Sequence, residues 1–310
     1  MLSNRRLQDG SYYLLYGALY ALSLLPFPVL YALSDGVCFL LLRVFGYRKK
    51  VVEKNMRNAF PDKTPEEINR LVGTFYSYLC DLFLEMFKTL SISRASMLKH
   101  CRMTPEALKI FNDLGAEKKS IIVVLGHYGN WEWAGNTFSL LCPQPLSVIY
   151  HPLSSPAFDR LMYKMRTRFG SGLIDMNSTF RVMVKQKGEM TATAFIADQT
   201  PQPQRAYWTC FLNQDTPVFQ GTEIIAKKLN YPVVYTSVQK ERRGYYSIHA
   251  ELLPEEPAST ADGFISEWHT RRLEQDILAR PETWLWSHRR WKHARPENSY
   301  PQKNHIHVNR

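Results

Sequence analysis

From Ser11 to Ser34 the chain carries no charged side chain. As one α-helix rising about 1.5 Å per residue, this run would exceed the ~30 Å of bilayer hydrocarbon. It reads as a membrane segment. Pro26 and Pro28 interrupt it, and proline inside a helix removes a hydrogen bond and clashes with the preceding turn, so the segment kinks or dips in and returns. Arg43, Arg48, Lys49, Lys50, Lys54 and Arg57 follow the run and outnumber Arg5 and Arg6 before it. That asymmetry places the rest of the chain on the cytoplasmic side. A cleaved signal peptide would also show Arg5–Arg6, an apolar core and Ala32-Leu33-Ser34. Its core is too long, however, and a second apolar stretch, Val37–Phe45, continues past the cleavage point. The expected organisation is an anchor over 1–50, a folded body over 51–298 and a loosely held tail over 299–310.

The body is large enough to bury a full core. Five cysteines, odd in number and without a C-x-x-C pair, argue against a disulfide scaffold or a structural zinc ribbon. Lys and Arg total 39 against 28 Asp and Glu, a net charge of +11. This surplus suits an acidic partner, whether nucleic acid, anionic headgroups or an acidic carrier protein.

Between Thr64 and Leu90, Ile68, Leu71, Val72, Phe75, Leu79, Leu82, Phe83, Met86, Phe87 and Leu90 recur at spacings of three and four. This predicts one long amphipathic helix, opened by a Thr64 cap, a proline at the first turn and Glu67 three residues on. Strand-like runs follow at 121–125, 146–150, 191–197, 232–238 and 245–252, separated by helical patterns near 131–141, 156–169, 180–187 and 221–229. Such alternation predicts an α/β fold with a mainly parallel central sheet flanked by helices.

The run Ile121–Leu125 passes directly into Gly126-His127-Tyr128-Gly129-Asn130-Trp131-Glu132. A buried strand is thus delivering a polar turn. His and Glu five apart diverge on a regular helix, so they meet only if His127 lies in the turn and Glu132 in the first helical turn, a bend that Gly126 and Gly129 permit. In that geometry Glu132 holds one imidazole nitrogen while the other faces a substrate hydroxyl. Two further strand-like runs end in polar groups, His151-Pro152 and Asp198-Gln199-Thr200. In open α/β sheets the crevice beyond the carboxyl ends of strands takes the ligand; Asp198 also suits a helix or turn cap. Arg160, Lys164, Arg166 and Arg168 fall in one helical window. Arg166 and Arg168 cannot share a narrow face, so at least one is expected to point to solvent and the other to bind phosphate or an oxyanion.

The carboxyl-terminal run Trp284-Leu285-Trp286-Ser287-His288-Arg289-Arg290-Trp291-Lys292 interleaves aromatics with cations. It suits either a base-stacking strip or a membrane–water interface. There is no G-x-S-x-G, G-x-x-x-x-G-K-[ST] or G-x-G-x-x-G, so serine hydrolase, nucleotide triphosphatase and dinucleotide readings lose their usual entry. His288 and His293 stand five apart, and His305 and His307 fall in the tail. No metal site is expected.

The block His127-x-x-x-x-Glu132 resembles the H-x-x-x-x-[D/E] motif of glycerolipid-type acyltransferases, and within them the lipid A biosynthesis lauroyl/myristoyl acyltransferases. The likeness extends through Tyr150-His151-Pro152, Arg166-x-Arg168-x-Gly170, Ala197-Asp198-Gln199, Phe219-Gln220-Gly221-Thr222 and the closing aromatic-basic run. It implies transfer of a fatty acyl chain from a thioester, usually on acyl carrier protein, to a hydroxyl of a lipid A precursor at the cytoplasmic face of the inner membrane. No cofactor and no nucleic acid are implied. His127 would be the general base and Glu132 its orienting partner. Arg166 matches the family's active-site arginine, with Arg168 as the substitute, while Asn130 and Asp198 shape the pocket and Gln199 and His151 contact substrate. His151 departs from the family's usual basic residue before proline, and the stretch after Gln199 is less glycine-rich than the family's. Both departures leave open a lysophospholipid or aminolipid acceptor. A non-catalytic, membrane-tethered basic binding module is the remaining reading.

Overall fold

The five apolar runs between 121 and 252 join two shorter strands in one seven-stranded sheet. The structure, a computed structural model, describes residues 2–296. The expected tail at 299–310, with His305 and His307, lies outside the described residues, as do the side chains of Arg5 and Arg6.

The amino-terminal part is helical: α1 (Leu2–Leu24), α2 (Phe27–Phe39), α3 (Lys49–Ala59), α4 (Pro65–Lys88) and α5 (Arg94–His100). Then β1 (Cys101–Met103), α6 (Pro105–Ala116), β2 (Ile121–Leu125), α7 (Trp131–Leu141), β3 (Leu146–Tyr150), α8 (Pro156–Arg166), β4 (Gly172–Asp175), α9 (Thr179–Lys185) and β5 (Ala192–Ile196) alternate. The chain closes with β6 (Ala206–Phe211), β7 (Gln214–Phe219), α10 (Gly221–Leu229), β8 (Val233–Arg242), β9 (Tyr245–Leu252) and α11 (Phe264–Ala279). The sheet order is β1-β9-β8-β2-β5-β3-β4, with β6 and β7 forming a separate hairpin. Every neighbouring pair in the large sheet is parallel except β8 with β9. All five residues of β2 are buried, as a strand covered on both faces requires.

The long helix α4 begins as its sequence predicts. Thr64 accepts a hydrogen bond from the Glu67 backbone N–H at 3.2 Å, and Glu67 accepts one from the Thr64 N–H at 2.7 Å. This reciprocal cap satisfies two N–H groups that the helix start leaves without partners. The buried stripe Ile68, Val72, Phe75, Leu79 and Leu82 then joins the main core.

The uncharged run at 11–34 is not one segment. It breaks at Leu25–Pro26, and the carbonyls at the end of α1 are taken by Lys88, whose Nζ donates to Ser23 at 2.7 Å and Leu25 at 2.8 Å. A helix end leaves such carbonyls without partners, so a buried ammonium is a fitting cap. Among the described residues, the helix long and apolar enough to cross a bilayer is Phe27–Val44, formed by α2 and a π-helical turn at Leu40–Val44. Within α8, Arg160 and Lys164 sit 4.1 Å over the rings of Tyr12 and Tyr16 on α1.

Candidate active site

At the carboxyl end of β2 the chain turns sharply before entering α7, and two glycines make the turn fit. A Cβ at Gly126 would stand 2.6 Å from Leu273 Cδ1, and one at Gly129, whose φ is +60°, would stand 1.7 Å from the Val238 carbonyl oxygen. At Gly129 the close approach of the Val238 backbone admits no side chain, whereas at Gly126 the tip of the Leu273 side chain would have to move.

His127 lies in this turn, with its side chain 16% exposed. Its Nδ1 is 2.6 Å from Asp198 Oδ1, and its backbone N–H donates to Asp198 Oδ2 at 2.8 Å. Trp284 Nε1 donates to the same Oδ2 at 2.8 Å. Burial pushes the Asp198 pKa up. The charge of His127 and the hydrogen bonds from His127 and Trp284 outweigh it, holding the carboxyl down at about 2. An ionised Asp198 on Nδ1 leaves Nε2 as the basic nitrogen. Gln199 Nε2 lies 3.4 Å from it, and the Trp131 ring stands edge-on to the imidazole at 4.9 Å.

The carboxylate that orients the imidazole is therefore Asp198 and not Glu132. Sheet register is the reason: β2 and β5 pair in parallel with Leu125 opposite Ile196, so two residues further along each chain His127 meets Asp198. Glu132, in the first turn of α7, turns instead toward α8. Arg166 Nη2 donates to its Oε1 at 2.6 Å and Nε to its Oε2 at 3.0 Å. Burial raises the Glu132 pKa, but the charge and hydrogen bonds of Arg166, with the charge of His127, bring it below the ordinary carboxylate value. His127 thus stands within the field of two ionised carboxylates and is bonded to one.

Two of the other residues expected at the site stand away from it. Asn130 is fully buried; its Oδ1 accepts from the Trp133 N–H at 3.0 Å and its Nδ2 donates to Glu85 at 2.8 Å, so it caps α7. Arg168 donates to the Thr89 carbonyl and lies 4.9 Å over the Phe169 ring. Arg168 is exposed all the same, as the spacing of the two arginines predicts, while Arg166 is half-buried against Glu132. Gln199 and His151 do line the cavity described next.

His127, Glu132 and Arg166 open onto a cavity of about 600 Å³ whose lining also includes the apolar side chains of Val148, Ile149, Met176, Phe195, Ile196 and Ile225. The volume falls within the range of small-molecule sites. His288, Thr200 and Lys292 reach the same cavity. Burial lowers the His288 pKa to about 4, so it faces the cavity neutral, with Nε2 3.2 Å from Thr200 Oγ1.

The carboxyl-terminal run is consequently no exposed stacking strip. Trp284, Trp286 and Arg290 are at most 2% exposed, and Trp291 Nε1 donates to Thr216 at 2.7 Å. Its aromatic-basic alternation conceals a division of labour: Trp284 braces Asp198 while His288 and Lys292 face the cavity. Sequence pattern alone does not separate these roles. Among the described residues no three His, Cys, Asp or Glu side chains gather as metal ligands would.

The family model for bacterial lipid A biosynthesis acyltransferases matches residues 3–293. The chain belongs to this family. Its relatives include the lipid A biosynthesis lauroyltransferase of Escherichia coli strain K12, 25% identical over 91% of this chain and 90% of the relative. The lipid A biosynthesis palmitoleoyltransferase of the same strain and the lipid A biosynthesis acyltransferase of Shigella flexneri are each 22% identical over 89% of both chains. As a lipid A acyltransferase the protein needs a base for the acceptor, donors for the oxygen that gains charge, and an apolar channel for the acyl chain. His127, Gln199 and the apolar side chains Val148, Phe195 and Ile196 line one cavity beside β2, β3 and β5.

Proposed function

We propose that this lipid A acyltransferase moves a fatty acyl group from an acyl carrier protein thioester to a hydroxyl of a lipid A precursor, at the cytoplasmic face of the inner membrane. The anchor is 1–50 and the acyltransferase domain 51–298. The observation that carries the reading is the Asp198–His127 pair, whose imidazole opens onto a cavity lined in part by apolar side chains.

His127 Nε2 removes the proton from the acceptor hydroxyl as its oxygen attacks the thioester carbonyl. Positioned proton transfer of this kind gives about 10²–10⁴-fold. Asp198 fixes the ring and stabilises the imidazolium; Glu132, charge-balanced by Arg166, adds a second negative charge nearby. The Gln199 amide, beside Nε2, is placed to donate to the carbonyl oxygen as it becomes an oxyanion. The proton on His127 then passes to the departing thiolate. Transfer is direct, with no acyl-enzyme. The +11 net charge favours encounter with an acidic carrier.

The test is acyl transfer by the purified full-length enzyme, supplied with radiolabelled acyl carrier protein thioester and a lipid A precursor. One added acyl chain on the precursor by mass spectrometry, absent with His127→Ala, is the expected result. A full rate with His127→Ala overturns the mechanism. Acylation of a lysophospholipid in preference to the precursor overturns the acceptor.

A further inference from the structure

A bilayer-crossing helix must present apolar surface all round, whereas the described parts of the amino-terminal helices each dock one face on the body. On α2 and the turn after it, Phe27, Tyr31, Ser34, Cys38 and Leu42 form one face at helical spacing. Phe27 stacks on His100 at 4.1 Å. Tyr31 donates to Glu85 at 2.9 Å and Ser34 to Asp81 at 2.7 Å, while Cys38 and Leu42 pack against the main core. At about 1.5 Å per residue this docked face extends roughly 23 Å. An ionic cluster fastens its middle: Arg243, on the β8–β9 turn, bonds both Asp81 at 2.7 Å and Asp35 of α2 at 2.6 Å. The same holds for α1, where Tyr12, Leu15, Tyr16 and Leu19 pack on Met86, Leu161 and Met165.

The opposite faces are apolar and open. Leu14 is 79% exposed, Leu24 58%, Val44 60% and Phe45 73%, and Val29, Leu33 and Leu40 are also exposed. Immediately beyond them Arg43, Lys49, Lys50, Lys54 and Arg57 are exposed on the turn and on α3. An amphipathic helix with an apolar outer face and flanking cations rests about 5–10 Å into the headgroup–acyl boundary, drawn by anionic lipid. Carrying α2 across the bilayer would instead take Asp35, Asp81 and Arg243 into hydrocarbon or tear the docked face apart.

From this arrangement we infer that the amino-terminal helices hold the enzyme to an anionic leaflet from one side, lying along it without crossing it. The partner is the lipid surface itself, and the inference rests on the membrane location proposed above. Fixed in this way, both chain ends of the anchor stay on the side of the acyltransferase domain.

The experiment uses the full-length chain with Cys210→Ser, carrying Leu24→Cys, Leu33→Cys or Phe45→Cys labelled with an environment-sensitive fluorophore. Vesicles contain phosphatidylethanolamine with about 30% phosphatidylglycerol and lipids spin-labelled either near the headgroup or at mid-chain. The unsubstituted background controls for labelling of the other thiols. Flotation with these vesicles, at least tenfold weaker on pure phosphatidylcholine, with all three probes quenched chiefly by the shallow spin label, is the expected result. Flotation with any probe quenched chiefly at mid-chain overturns the in-plane arrangement and leaves the membrane location standing. Failure to float on either vesicle overturns the membrane location, and the inference with it.

Discussion

His127 and Asp198, 71 residues apart in sequence, are joined by a 2.6 Å contact between Nδ1 and Oδ1, while Glu132, five residues from His127, is bonded to Arg166 instead. The nearer carboxylate and the orienting carboxylate are different residues. Their variants are expected to behave differently.

Asp198→Asn places an amide where the imidazole N–H must donate, favouring the tautomer with its proton on Nε2. The expected loss in kcat is about 10³–10⁴-fold with the fold retained. Glu132→Gln leaves the His127–Asp198 bond intact and is expected to cost about 10–10²-fold. Steady-state kinetics on both variants checks the order; a larger loss for Glu132→Gln would return the orienting role to it.

The depressed pKa of Asp198 makes stability depend on acidity. Its carboxyl sits at about 2 in the fold, against 3.8 as the ordinary value. The unfolded chain therefore takes up the proton first as pH falls. The contribution, about 2 kcal/mol, is complete above pH 4 and lost as pH drops toward 2. Thermal melts between pH 5 and 2 should fall more steeply for the wild type than for Asp198→Asn.

Arg166→Met strands the ionised Glu132 in a site only 10% exposed. Removing one partner of a buried pair costs about 3–5 kcal/mol, whereas removing both with apolar groups of similar shape is often close to neutral. Urea unfolding of Arg166→Met, Glu132→Met and the double variant measures this. The double variant is expected to be more stable than Arg166→Met alone.

Gly129→Ala is expected to be among the most damaging single changes in the chain. Its Cβ would meet the Val238 carbonyl at 1.7 Å, and its φ of +60° is strained for any L side chain. A loss above about 4 kcal/mol is expected, read as a collapse in soluble folded yield by near-ultraviolet circular dichroism.

Where a structural decision depended on near neighbours, the chain carried it openly. The β2, β3 and β9 boundaries follow their apolar runs to the residue, and the Thr64–Glu67 cap lies within a single helical turn. The β6–β7 hairpin was harder to read, although its turn is local: Leu212 and Asn213 both take positive φ, 50° and 60°. Asn suits that conformation, but Leu in the first position masked the signal. Short β1 and β4 carry too few residues for a pattern to stand out.

Amino-acid order was enough to establish an α/β chain with a strand delivering His127 to a glycine-flanked turn, because apolar periodicity and turn chemistry act over a few residues. Which carboxylate reached the imidazole, which arginine entered the cavity, and whether the first helices stood apart from the body were settled only on folding. Those outcomes depend on which strands become neighbours and in what register. The pairing of β2 with β5 is such a long-range event, and it set Asp198 beside His127 while leaving Glu132 to Arg166.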